Sequence, residues 1–192
     1  MYWQRRLPHW TPDDCIAFVT WRLAGTLPFH VLTAEPDEGT KFQREDFELD
    51  KSTQGPCWLE IPEIATIFVE ALKYSESVGK YELYAWVVMP NHVHIVLKPK
   101  EPLCRIVRWL KAATANRANT LMVRTGQAFW SREYYDRWIR DSKELGRVIN
   151  YVESNPVKAG IAASPEDWRC SSASRAPVTR SPAVPAGVYR ER

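Results

Sequence analysis

The sequence is short of several things, and each shortage closes off a class of protein. Its 192 residues contain no unbroken apolar run of the roughly 18 residues that a membrane-spanning helix requires. The opening stretch MYWQRRLPHW has no apolar segment of the kind a secretory signal needs, so the expected location is the cytoplasm. Cysteine is scarce: Cys15, Cys57, Cys104 and Cys170 lie at least 42 residues apart. Without a C-x-x-C pair there is no zinc-knuckle pattern, and a chain of this kind does not suit a disulfide framework. All four are expected to be small buried or neutral residues. Histidine is equally sparse, with only His9, His30, His92 and His94. Two of these four stand two positions apart.

What is present suits one ordinary domain with a tail. The chain is 45% hydrophobic and 12% aromatic, with nine tryptophans, which is ample for a core. We expect a domain over 1–170, with an acidic surface insertion at about 30–58, and a Ser/Pro/Arg-rich tail over 171–192 with little to bury. The net charge of +3 hides an asymmetry. Residues 34–76 carry 11 acidic and 4 basic side chains, whereas 101–160 carry 11 basic and 6 acidic, and the tail has 4 arginines to one glutamate. A basic C-terminal half suits a polyanionic partner. Solvated helices show the same bias, so charge alone does not establish one.

The pattern of elements can be read in order. Residues 15–23, CIAFVTWRL, have strand composition. Within the insertion a short helix is expected at about 41–50. Pro62 sits where a helix tolerates proline, and Ile64, Ile67, Phe68, Ala71, Leu72 and Ser75 follow a 3.6-residue period until Gly79. Strands follow near 81–88 and 92–98, joined at Pro90-Asn91. Pro102 opens a helix over about 103–122, with an apolar stripe of Leu103, Ile106, Val107, Leu110, Ala113 and Leu121. A fourth strand is expected within 128–139. Asp141 and Glu144 form a capping-box pattern for a last helix running to about 154 or 155, with Leu145, Val148, Ile149 and Val152 facing inward. The order βαββαβ predicts an α+β, ferredoxin-like antiparallel sheet with two helices on one face and one added C-terminal helix whose docking position is left open.

Two constellations carry chemistry. On a strand, His92 and His94 share a face and Val93 opposes them. Two imidazoles so placed make half a metal site; the plainer alternative is a chance pair of surface histidines. On the last helix, Tyr151 and Asn155 are one turn apart. Two imidazoles and an amide oxygen can hold a divalent cation, with Mg²⁺ or Mn²⁺ expected and Zn²⁺ or Ni²⁺ compatible. An open metal position polarises a phosphodiester oxygen, and a tyrosine beside it can attack phosphorus. Taken singly, Tyr151 also reads as a core-packed tyrosine and Asn155 as a helix-ending residue. Tyr134 and Tyr135 are rival tyrosines without a metal-type partner at helical spacing.

Taken together, these residues resemble a known family. WVVMPNHVHIVL contains a His–hydrophobic–His motif, and YVESNPVKAG follows it in the right order; FVTWRLAGTLP and FWSREYYDRWIRD also match. The chain resembles the REP-associated tyrosine transposases, single-tyrosine HUH nucleases related to insertion-sequence transposases, from about residue 15 to 170. The resemblance implies that His92, His94 and Asn155 are metal ligands and that Tyr151 is the nucleophile. It implies cleavage of single-stranded DNA beside hairpins of repetitive palindromes, through a 5′-phosphotyrosine. Arg105, Arg108, Lys111 and Arg117 are expected to contact phosphates, with Trp109 or Trp138 as possible stacking platforms. The expected partners are single-stranded or hairpin DNA, with the protein a monomer or homodimer. The competing readings are a hairpin-DNA-binding module that does not cut and a metal hydrolase that activates water.

Overall fold

The structure, a computed structural model, describes residues 15–26, 46–51 and 55–175. Its sheet has four strands: β1 (Ile16–Arg22), β2 (Tyr81–Val88), β3 (His92–Pro99) and β4 (Tyr135–Ile139). Their order is β2-β3-β1-β4, with every pairing antiparallel. The helices are α1 (Pro62–Ser77), α2 (Leu103–Leu121), α3 (Ser142–Glu153) and the four-residue α4 (Asn155–Lys158). This is the expected ferredoxin-like βαββαβ sheet, with β1 and β3 at its centre.

Strand alternation divides the core into two layers. On one face Ala17, Val19 and Trp21 of β1 join Val93, Ile95 and Leu97 of β3, and α1 and α2 cover them. On the other face lie Phe18, Ala85, Val87 and Val96, covered by Val148 and Val152 of α3. The added helix therefore docks on the sheet face opposite the other two.

The local signals that start and stop these helices act as expected. Pro62 opens α1 in its first turn, and Gly79 beyond its end has φ +77°, a left-handed conformation that costs glycine little. At the start of α3, the Asp141 side chain accepts a hydrogen bond of 2.7 Å from the Glu144 backbone N–H. The Glu144 carboxylate accepts from the Arg140 N–H and from Arg137, at 2.9 and 2.7 Å. The box thus closes one residue earlier than the standard form, on Arg140 rather than Asp141. In α2, Thr114 and Ala118 are buried where Ala113 and Leu121 were expected, and Leu121 is exposed. Positions 103, 107, 110, 114 and 118 continue one stripe from which 113 falls out. Thr114 is polar but satisfied, donating to the Leu110 carbonyl and accepting from the Trp130 indole.

The outer edge of β2 does not stand open along its length. The Val88 N–H donates to the Cys170 carbonyl at 2.8 Å, and the Ser172 N–H donates to the Trp86 carbonyl at 2.9 Å. The Ser172 hydroxyl meets Glu153 of α3 at 2.9 Å. All four cysteines are free and partly buried. Among the described residues no helix is long and apolar enough to cross a membrane. Most of the acidic insertion and of the tail, including residues 41–45 of the expected insertion helix, lies outside the described residues. The part of that helix that is described, residues 46–50, is helical.

Candidate active site

Strand register brings the histidines together with their supports. Thr20 of β1 lies directly opposite His94 of β3, and its hydroxyl is 2.7 Å from His94 Nδ1. In the turn before β3, Asn91 Oδ1 lies 2.7 Å from His92 Nδ1. An amide oxygen only accepts, so His92 carries its proton on Nδ1 and turns the Nε2 lone pair inward. The Asn91 amide also donates to the Leu49 carbonyl at 3.0 Å, which ties the helical segment 46–50 to the histidine hairpin. The two Nε2 atoms are 3.0 Å apart. Two ligands at a right angle, each about 2.1 Å from one cation, would stand about 3.0 Å from each other.

Both histidines are fully buried. Burial lowers His92 to about 3. His94 is lowered well below its ordinary range, first by burial and then by His92 and Lys158. Both rings are therefore neutral near pH 7, the form in which imidazole binds metal.

A carboxylate completes the cluster. Asp46 Oδ1 lies 3.3 Å from His94 Nε2 and 4.0 Å from His92 Nε2, and Asp50 Oδ1 lies 3.7 Å from His92 Nε2. One ligand atom from each of Asp46, His92 and His94 falls within 4.8 Å of the others. Asp46 Oδ1 and Asp50 Oδ1 are buried and accept no hydrogen bond among the described residues. Burying unsatisfied carboxylate oxygens is costly, and here they face the two converging imidazole Nε2 atoms. Burial, reinforced by Asp50 and partly offset by Lys158, raises Asp46 to about 8; burial raises Asp50 to about 6. A neutral-His, buried-carboxylate set of this kind fits a divalent metal.

Tyr151 reaches the same cluster from α3. Its hydroxyl donates to Asp46 Oδ2, and its ring packs edge-on against Phe18 and His94, with centroids 6.0 and 5.8 Å away. The two oxygens of Asp46 thus face different groups, one the histidines and the other the tyrosine. Of the rival tyrosines, Tyr135 packs edge-on against Phe18, the ring that also meets Tyr151, and Tyr134 lies 5.5 Å beneath the Lys111 ammonium. Asn155 is fully buried, with neither amide atom hydrogen-bonded among the described residues.

The four expected phosphate contacts stand apart from this cluster. Arg105, Arg108, Lys111 and Arg117 belong to α2, which covers the sheet face opposite His92 and His94. Lys111 donates to the carbonyls of Ser131, Arg132 and Glu133, and Arg117 pairs with Glu70 at 2.6 Å. Arg105 and Arg108 are exposed. Arg108 lines a cleft of about 330 Å³ with Lys111, Arg132, Trp130 and Tyr134. Trp109 and Trp138 are partly buried against the core, and Trp109 stacks on Tyr74.

The sequence reading missed Asp46 and Asp50 because it took their segment as surface. The available signal was their i, i+4 spacing, which puts two carboxylates on one helix face.

The fold and the paired histidines define a class. Residues 61–155 match the family model described as "Transposase IS200 like", and over that stretch the chain is similar to this family. The matched stretch includes both histidines, Tyr151 and Asn155, and leaves Asp46 outside. The REP-associated tyrosine transposase of Escherichia coli K12 is 26% identical over 95 residues, covering 48% of this chain and 54% of its own length. A Haemophilus influenzae relative, provisionally given the same name, is 24% identical over 116 residues, covering 55% of this chain and 66% of its own. The chain thus spans less than two thirds of either relative. A solved structure of a REP-associated tyrosine transposase bound to a REP hairpin superposes with a TM-score of 0.56 at 19% identity, covering 100% of this chain and 98% of that one. At that identity the likeness establishes the fold.

Proposed function

We propose that this chain is a metal-dependent single-stranded DNA endonuclease and strand-transferase of the transposase type. It cuts beside hairpins of repetitive palindromic elements through a 5′-phosphotyrosine. The observation that carries this reading is the bridging role of Asp46: one oxygen accepts the Tyr151 hydroxyl and the other faces the Nε2 atoms of His92 and His94. A potential nucleophile, a proton acceptor and a metal-ligand set meet in one buried cluster. The family match and the hairpin-bound structural neighbour support a hairpin DNA partner. Tyr151 and Asp46 meet within one chain, so the reading needs no second copy.

A divalent cation, Mg²⁺ or Mn²⁺, would be held by Asp46, His92 and His94, with Asn155 as a further ligand, and would supply Lewis acidity toward a phosphodiester oxygen. The remaining work falls to the chain. Asn91 holds His92 in the tautomer that turns its Nε2 lone pair inward, and Thr20 holds the His94 ring at Nδ1. Phe18 and His94 fix the Tyr151 ring. In the cleavage step the Tyr151 O–H bond breaks and the proton passes to Asp46 Oδ2. The phenolate oxygen bonds to phosphorus. The P–O3′ bond breaks with its electron pair on the 3′ oxygen, which takes a proton from water. The products are a 5′-phosphotyrosine and a free 3′-hydroxyl, and reversal onto another 3′-hydroxyl joins strands. Arg105 and Arg108, exposed on α2, are the members of the basic set able to take DNA phosphates without giving up a protein contact described above.

The test is a covalent-adduct assay with labelled single-stranded hairpin DNA and Mn²⁺ or Mg²⁺. Wild type is expected to yield a protein-sized labelled band that is absent with Tyr151→Phe. A cut without an adduct, unaffected by that substitution, would instead indicate metal-activated water. Binding with neither cut nor adduct would indicate a non-cutting module.

A further inference from the structure

One charged group in the site has no part in the chemistry above. Lys158 closes α4, which begins two residues after α3 ends. Buried Asn155 and Pro156 anchor this turn, whereas Lys158 is exposed. Its ammonium stands 4.2 Å from the centroid of the Tyr151 ring. Among the described residues it makes no hydrogen bond and no ion pair. Its three N–H donors are therefore unclaimed, at the solvent-facing side of the tyrosine. Its positive charge is also felt within the cluster, at Asp46, Asp50 and His94. By contrast Arg137, on the same sheet face, is already engaged with Glu144.

Charge balance gives the lysine a task. With both histidines neutral, the two carboxylates and a divalent cation cancel. A phosphodiester would then bring an unbalanced negative charge to a pocket lined by Asp46 and Asp50. Among the described residues Lys158 is the cation set against the Tyr151 ring, and an ammonium is a compact donor well suited to a phosphate oxygen.

Resting on the proposed function, we infer that Lys158 is a substrate-binding residue of this site. Its ammonium takes a non-bridging oxygen of the phosphodiester that Tyr151 attacks. The ring contact sets the distance, so that the group holding the phosphate and the group attacking it move as one unit.

The experiment compares wild type with Lys158→Met, Lys158→Gln and Lys158→Arg. Two readouts are taken: adduct rate at saturating hairpin DNA with Mn²⁺, and Mn²⁺ binding without DNA. Removing one transition-state donor slows the step by about 100-fold, so both neutral variants should fall by about that factor, and Lys158→Arg should recover most of it. Mn²⁺ should bind the neutral variants as tightly as wild type or more tightly, because a repelling cation has gone. Neutral variants within about threefold of the wild-type rate would overturn the inference. So would equal loss in all three variants with Mn²⁺ binding weakened in parallel, which would mark a purely structural lysine. If wild type itself forms no adduct, the proposed function fails first and this inference with it.

Discussion

Asp46 is desolvated beside Asp50, and without a cation its negative charge is a burden on the fold. The perturbation that isolates this is Asp46→Asn, which keeps an acceptor for Tyr151 and removes the charge. The unfolded carboxyl ionises around its ordinary 3.8, while the folded one holds its proton up to about 8. Between those values the native state binds more protons than the unfolded state, so stability falls as pH rises. The histidines act in the opposite sense. Their lowered values make stability drop as pH falls below their ordinary 6.5, and that contribution is complete above it. Asp50, raised to about 6, is also spent by then. The interval from pH 6.5 to 8 therefore belongs to Asp46. At about 1.4 kcal/mol per pH unit, metal-free wild type should lose up to about 2 kcal/mol across it relative to Asp46→Asn. For a chain of this size that is about 4–8 °C in Tm. Thermal melts in EDTA at four pH values would read the difference between the two proteins. Adding Mn²⁺ to 100 times its Kd should then raise wild type by about 2.7 kcal/mol, and each tenfold loss of affinity in the variant should remove about 1.4 kcal/mol of that gain. Parallel melting curves between pH 6.5 and 8, together with equal Mn²⁺ stabilisation, would refute the placement of Asp46 as a buried carboxylate facing the metal set.

Two further outcomes are expected. Thr20→Val removes the oxygen that holds His94 Nδ1, so Mn²⁺ affinity measured by titration should fall about 10- to 100-fold while the circular dichroism spectrum is unchanged. Asp141→Ala deletes the α3 cap and should cost about 1 kcal/mol in denaturant melts, without weakening Mn²⁺ binding to the folded protein.

How far the sequence discloses this molecule depends on the range of each interaction. The caps at Pro62, Gly79 and Asp141 and the alternation of His92 and His94 are local and could be read directly. The strand order followed from element order, because few topologies accommodate βαββαβ. Asp46 could not be placed, since its approach to residues 46 positions further along depends on Asn91 gripping the Leu49 carbonyl. An acidic run looks the same whether its face turns to water or to a pair of imidazoles. Counting charge along α2 had a similar blindness. It registers four cations, but Lys111 caps three carbonyls and Arg117 pairs with Glu70, leaving Arg105 and Arg108 on the exposed side. Lys158 escaped notice for the reverse reason: a single lysine after a proline turn has no pattern, and its meaning comes from the ring beneath it.

The short segment of Cys170 and Ser172 laid along β2 bears on how the molecule meets others of its kind. An outer strand normally offers a ladder of unpaired amides on which a foreign strand can grow. Here the rungs at Trp86 and Val88 are already occupied by the protein's own chain, and the clasp is fastened through Glu153 to α3, the helix that carries Tyr151. The β2–β3 hairpin that carries the two histidines is thus kept from being recruited into a larger sheet.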